Sequence, residues 1–356
     1  MIMSHTETGN VEANKDRRLI ALAAVAIHLS IASIYAYSIY QIPLNRTQGW
    51  ATSQVTLAFS IAVLVLGVTA AFLGTYVEEY GPRLAGLAAA VLYGLGMVGA
   101  GLSVQLGSLP LFLATFGVVG GMGIGLGYIS PIGTLLEWFP DRRGMATGLA
   151  VMGFGAGALL TGPLGSYLIQ TFGVAAAFYG LGALYFVLMT LGASYLAKPA
   201  DGWLPEGMEG EENAHEKARS AVPGIDALTA AEARTSVRFW MVWLIVFINV
   251  SAGIMLLAFA SPMLQQVGSA TATTAAFITG YIGIFNGGGR IFWSSLSDYV
   301  GRTTTYGAFM ITQIGAFLLM PQLAGVWVLA GTMFLVITCY GGGFACLPAY
   351  LSDLFG

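Results

Sequence analysis

Long apolar runs separated by short polar turns organise this chain from residue 19 onwards, with one polar interruption between 198 and 238. Apolar stretches fall at about 19–40, 54–76, 84–105, 109–136, 145–168, 175–197, 238–260, 273–296, 304–321 and 326–350. Each approaches the roughly 20 residues that a helix needs to cross the hydrocarbon core of a bilayer. The pattern predicts ten membrane helices. The first follows Lys15, Arg17 and Arg18, the charge order of a signal peptide, but its apolar core is longer than the 7 to 15 residues of such a peptide, roughly, so it is read as a span.

Composition agrees. Hydrophobic residues make up 56% of the 356, charged residues 9%, and the mean hydropathy is +0.77. A soluble domain carries roughly 25% charged residues. The net charge of -3 is spread over several loops, which gives no nucleic-acid face. Cys339 and Cys346 sit two turns apart on one predicted helix, about 10 Å along its axis, too far for a disulfide and too few for a metal site. No metal or other cofactor is expected. A membrane-embedded enzyme would need paired acids or a histidine cluster on facing helices, and the sequence offers neither.

Charge distribution sets an orientation. Of the 14 Lys and Arg, all but Arg46 and Arg290 fall on one side of the predicted spans. By the positive-inside rule that side is cytoplasmic, which puts the tail 1–18, the linker 198–237 and residue 356 there. The expected domains are a six-helix bundle over 19–197 and a second bundle over 238–356. On the far side, Asn45-Arg46-Thr47 forms a glycosylation sequon, a weak signal by itself.

The two bundles carry the same turn. Gly74, Glu78, Gly81 and Arg83 follow the second span; Ser294, Asp298, Gly301 and Arg302 follow the eighth, with the small residue, the acid and the glycine offset by 220 positions. Pro131 and Pro348 repeat at an offset of 217. The acid suits a helix N-terminus and the glycine a tight turn. Duplicated bundles that rock about a central site are a known transporter architecture. The second bundle shows no counterpart of residues 140–197, so the expectation is a chain that stops two helices short of twelve; a natural ten-helix protein is the alternative.

Arg290 is the one Lys, Arg, Asp or Glu placed within the hydrocarbon. It lies eight residues before Asp298, about 12 Å deeper at 1.5 Å per residue, near the bilayer midplane. A charge at that depth is a functional-site hypothesis by default. On a helical wheel it shares a face with Gly280, Gly283, Asn286 and Gly287. Its planar fork suits a carboxylate, although snorkelling to the surface is the competing explanation. Tyr35, Tyr37, Gln54, Tyr128 and Tyr340 supply further polar tips, either for a bound anion or for interhelical hydrogen bonds. His28, mid-helix, could carry a proton or simply pack as a neutral ring. No carboxylate lies deep in a helix, which favours exchange or uniport over acid-driven coupling. The glycine-rich GGMGIGLG (120–127) and GFGAGA (153–158) runs, with Pro163 beyond them, lack the strand context of a nucleotide loop and read as close helix packing.

The acid-and-arginine turns and the six-plus-six layout resemble the major facilitator superfamily. GYISPIGTLLEWFPDRRGMATGLAVMGFGAGALLTGPLG, with LTAAEARTSVRFW before the seventh helix, resembles the oxalate/formate antiporter family within it. The resemblance implies a monomeric all-α membrane transporter for small carboxylates working by alternating access. In that family a helix-8 arginine and a helix-11 lysine hold a dicarboxylate inside an aromatic cage. Arg290, in NGGGRIFWSSLSD, matches the first; the lysine would lie beyond Gly356. Asp141, Arg142 and Arg143 are expected to latch the inward gate. A carboxylate/proton symporter using His28 and a transport-inactive fragment are the rival readings.

Overall fold

The computed structural model describes residues 15–200, 203, 205, 230–323 and 325–355, without the side chains of 78, 142–152, 155, 156, 230, 231 and 352. The N-terminal tail and most of the linker therefore fall outside the described residues, as do the side chains of Glu78, Arg142 and Arg143. The described chain is helical, with no strand among its residues. We number the long helices α1 Arg17–Gln48, α2 Thr52–Tyr80, α3 Pro82–Leu106, α4 Leu109–Trp138 and α5 Arg143–Phe172. The rest are α6 Val174–Tyr195, α7 Val237–Gln266, α8 Ala272–Val300, α9 Arg302–Leu319 and α10 Val326–Phe355. Among the described residues, seven helices are long and apolar enough to cross a membrane: α1 to α4, α6, α7 and α10. Helix α8 is not one of them, because it spends positions on Asn286, Arg290 and a run of glycines.

Side-chain chemistry starts several of these helices. Ser236 Oγ accepts from Phe239 N at 3.2 Å, and Thr271 Oγ1 accepts from Thr274 N at 3.1 Å, which satisfies first-turn donors. The repeated turns use backbone geometry instead. Gly81 (φ 84, ψ 159) precedes α3 and Gly301 (φ 88, ψ 148) precedes α9, in one shared conformation that a side chain rarely adopts. A Cβ at either would meet nothing within 4 Å, so the demand is conformational and not steric. The sequence repeat is thus a repeat of backbone shape.

In the first bundle α1 packs against α4, α5 and α6, while α3 packs against α4 and α6. In the second, α8 packs against α7, α9 and α10. The bundles meet where α5 crosses α8 and where α1 crosses α7. The crossing of α5 is close because it has no side chains there: a Cβ on Gly162 would sit 2.5 Å from the Ala276 carbonyl oxygen of α8. On its other face, a Cβ on Gly157 would come 2.3 Å from the Leu29 carbonyl oxygen of α1. The glycine run of α5 is a packing surface, as small residues at these spacings permit.

Two departures from regular α geometry matter. The middle of α1, Ala32–Tyr40, is a nine-residue 3-10 segment, long for that conformation. Pro131, Pro163, Pro262 and Pro348 lie inside α4, α5, α7 and α10, each removing one helical hydrogen bond. Cys339 and Cys346 are free and buried.

Candidate functional site

Helix α8 turns one face inward over its whole middle. Gly280, Gly283, Asn286, Gly287 and Arg290 are all buried, whereas Tyr281, Ile284, Phe285, Ile291 and Phe292 on the other faces are exposed. Arg290 is only 7% accessible, so it does not snorkel to the surface. Its Nε donates to Asn286 Oδ1 at 3.4 Å, one turn back on the same helix. Its guanidinium carbon lies 5.5 Å from the centre of the Phe344 ring on α10, a cation–π contact. Among the described residues no carboxylate pairs with it. The Asn286 Nδ2 amide is buried and makes no hydrogen bond, so a second donor stands beside the cation.

Aromatic side chains from four other helices close round this pair. The Tyr35 hydroxyl of α1 and the Tyr340 hydroxyl of α10 are 3.2 Å apart, and both lie within the electrostatic reach of Arg290. Phe154 of α5 stands edge-on to Tyr35 at 4.9 Å and to Tyr128 of α4 at 5.5 Å. Phe344 stands edge-on to Tyr340 at 5.2 Å. Room for Tyr340 comes from Gly253 of α7, where a Cβ would lie 2.2 Å from the Tyr340 ring. His28 stacks on Tyr128 at 6.0 Å, and its Nε2 lies 3.1 Å from the Tyr128 carbonyl oxygen. A carbonyl only accepts, so Nε2 carries the hydrogen and that ring nitrogen is a donor.

Six of the sequence candidates therefore converge: Arg290, Asn286, Tyr35, Tyr128, Tyr340 and His28. Two do not. The Tyr37 hydroxyl donates to the Val55 carbonyl at 2.6 Å, and its ring packs against Phe59 and Phe116 inside the first bundle. Gln54 is exposed in the first turn of α2, where its Oε1 accepts from Ala51 N at 2.9 Å and caps the helix. Phe154 and Phe344 were missed. Phe344 was within reach, because it stands one turn after Tyr340 and shares its face; Phe154 was absorbed into the glycine run.

Gate residues at the basic end are braced inside single bundles. Arg302 pairs with Asp298 at 2.5 Å and Asp353 at 3.6 Å and donates to Ser297 Oγ, tying α8, α9 and α10. Asp141 pairs with Arg17, whose Nε also reaches the Trp138 carbonyl at 2.8 Å. Both partners of that pair belong to the first bundle.

The arrangement is a buried cation and an amide donor in a five-sided aromatic box at the seam of two helix bundles. That suits a small planar anion, held by the guanidinium fork and by hydroxyls, with ring faces excluding water. Known proteins agree in kind. The chain is 28% identical over 360 residues to the oxalate:formate antiporter of Oxalobacter formigenes, an alignment covering 99% of this chain and 81% of that one. It is 26% identical to the apicoplast pyruvate carrier 1 of Toxoplasma gondii over 71% of this chain and 55% of that one. A bacterial homologue of the human lysosomal transporter Spinster, in an inward-facing and unoccupied conformation, superposes with a TM-score of 0.68 at 16% identity, covering 94% of this chain and 75% of that one. The family model for the Major Facilitator Superfamily matches residues 21–356. This chain belongs to the Major Facilitator Superfamily, and is a multi-pass membrane transporter rather than an enzyme.

Proposed function

We propose that the protein carries small mono- or dicarboxylates across a cell membrane by alternating access, in exchange for a second anion, with Arg290 as the counter-charge. The observation behind this is a buried arginine, unpaired with any described carboxylate, inside an aromatic box between the two bundles. Burying a guanidinium costs several kcal/mol, roughly, unless an anion offsets it. A bound carboxylate supplies that offset, and Tyr35, Tyr340 and Asn286 give it further donors. Relatives whose names specify oxalate, formate and pyruvate support a carboxylate cargo.

Exchange is favoured because the helices carry no carboxylate away from their ends to relay a proton, and the Nε2 bond of His28 to a main-chain carbonyl supports a role in holding Tyr128. The basic end, with Lys15, Arg17, Arg302 and the linker, is placed in the cytoplasm, and the protein is taken to act as a monomer. The test is uptake into proteoliposomes loaded with unlabelled oxalate, formate, pyruvate or lactate, with no pH gradient. Labelled carboxylate should enter only when a counter-anion is inside. Uptake that requires an imposed proton gradient would transfer the reading to symport; uptake of neutral sugars but no anion would end it.

A further inference from the structure

The seam between α1 and α7, at the end remote from the basic turns, is held by polar groups that a helix does not ordinarily offer. Pro262 has no N–H, so the carbonyl of Ala258, four residues earlier, loses its helical partner. That oxygen is taken by the first bundle: Gln41 Nε2 donates to it at 2.7 Å. The second Nε2 hydrogen goes to Thr56 Oγ1 at 3.2 Å. One residue before the proline, the Ser261 N–H donates to Ser38 Oγ at 3.2 Å. Gln41 is fully buried and Ser38 nearly so. The carbonyl also fixes which way the amide points, since reversing it would set two acceptors against each other.

We propose that Gln41, with Ser38, and the proline break at Pro262 form the latch that closes the transporter on the side opposite the basic turns. Two open cavities flank it. One of about 270 Å3 is lined by Ile39, Arg46, Gln170, Ser261 and Gln265; another of about 340 Å3 is lined by Gln41, Asn45, Thr52 and Pro262. Each is lined in part by the seam itself, one by Ser261 and the other by Gln41 and Pro262. Tyr35 and the Arg290 box lie on the latch's inner side, six residues down α1 from Gln41, about 12 Å along 3-10 geometry.

A latch has to open without stranding its groups, and this one can. When α1 and α7 part, water entering between them takes the place of Gln41 on the Ala258 carbonyl and reaches Gln41 Oε1, which is buried without a partner while the seam is closed. The 3-10 segment between the box and the latch is the element whose winding can change as the contact breaks, the role such mid-helix segments often have.

The experiment reads the seam directly and uses no substrate, so its failure is separate from failure of the carboxylate reading; it rests only on alternating access. Leu257, fully buried and one turn deeper than Ser261, is replaced by cysteine in the full chain with C339S and C346S. A membrane-impermeant maleimide is applied from the side of Arg46 to reconstituted vesicles. Labelling should be slow in the parent. Gln41→Leu should speed it roughly two- to twelvefold, the weight of one hydrogen bond. Pro262→Ala should speed it too, because the restored N–H competes with Gln41 for the Ala258 carbonyl and weakens the bond across the seam. The double variant should label no faster than the faster single one. Rates unchanged by Gln41→Leu, or effects of the two changes that simply multiply, would overturn the latch. If Gln41→Leu does not fold, Pro262→Ala alone decides, since it favours the helix and its faster labelling depends on the same oxygen.

Discussion

The hydroxyls of Tyr35 and Tyr340 meet at 3.2 Å across the boundary between the two bundles. One belongs to α1 and the other to α10, so the bond joins the two bundles directly. A carboxylate beside Arg290 would draw both hydroxyls to itself. Tyr35→Phe and Tyr340→Phe should therefore each weaken anion binding about tenfold or more, as expected for a hydrogen bond to a charged group. Together they should cost more than the product of the two, because each single change also removes the shared bond that binding has to break, an offset that counts only once. Ligand titration of the purified single and double variants measures this; strictly independent effects would place the two hydroxyls in separate roles.

Arg290→Gln offers a sharper contrast. It should abolish carboxylate binding, a loss of at least two orders of magnitude on the scale of a buried charged contact, about 3 kcal/mol or more. The same change removes a buried cation that has no carboxylate partner among the described residues, so the ligand-free protein should melt no lower than the parent. Arg290→Lys should restore little, because a point charge cannot reproduce the fork and would lie differently over Phe344. Thermal melts with and without oxalate separate the two effects. A large drop in melting temperature without ligand would instead identify Arg290 as a structural residue.

Phe344 closes the box from below the guanidinium. Phe344→Leu keeps an apolar side chain of similar reach but loses the ring face, a contact worth about 0.5–2 kcal/mol. Carboxylate affinity should fall a few fold to about thirtyfold, with turnover at saturation little changed. Phe344→Trp should hold or improve affinity where the larger ring fits. A Leu variant indistinguishable from the parent in KM would remove Phe344 from the site.

Much of this was readable before any coordinates. The helical wheel put Arg290 on an inward face with Asn286, and the repeat of Gly81 and Gly301 marked two turns that proved to share one backbone shape. What misled was treating neighbours in sequence as neighbours in space. Tyr35 and Tyr37, two residues apart on a helix, point to different sides, and only Tyr35 reaches the box. Gln54, read as a polar tip for an anion or an interhelical bond, stands at the first turn of α2, where unpaired backbone donors attract such side chains. The seam of α1 and α7 was not legible at all, since a proline in α7 reveals nothing about which residue of α1 will meet the carbonyl it frees.

The paired turns can be tested for stability. Gly301→Ala and Gly81→Ala force a side chain into backbone geometry that costs on the order of 1–3 kcal/mol. Each should lower the melting temperature, although a Cβ meets nothing within 4 Å at either site. Gly331→Ala supplies the control: it lies in α10, also with open space around it, but with no positive φ, and should be neutral or stabilising. Equal behaviour of all three would mean that the shared turn conformation carries no strain for alanine.

His28 separates exchange from proton coupling. Its Nε2 donates to the Tyr128 carbonyl at 3.1 Å while its ring stacks on the Tyr128 ring. An amide can make the same bond, so His28→Gln should leave counter-anion exchange near parental levels and its pH profile unaltered. Leucine cannot donate. His28→Leu should loosen Tyr128 and raise KM several fold, consistent with about 1 kcal/mol for one neutral hydrogen bond, with little change in maximal rate. A proton carrier behaves differently: glutamine would be as damaging as leucine, and in both variants any acid stimulation of uptake would vanish while exchange at a fixed pH survived. Measuring exchange and gradient-driven uptake side by side for the two variants decides which role His28 has.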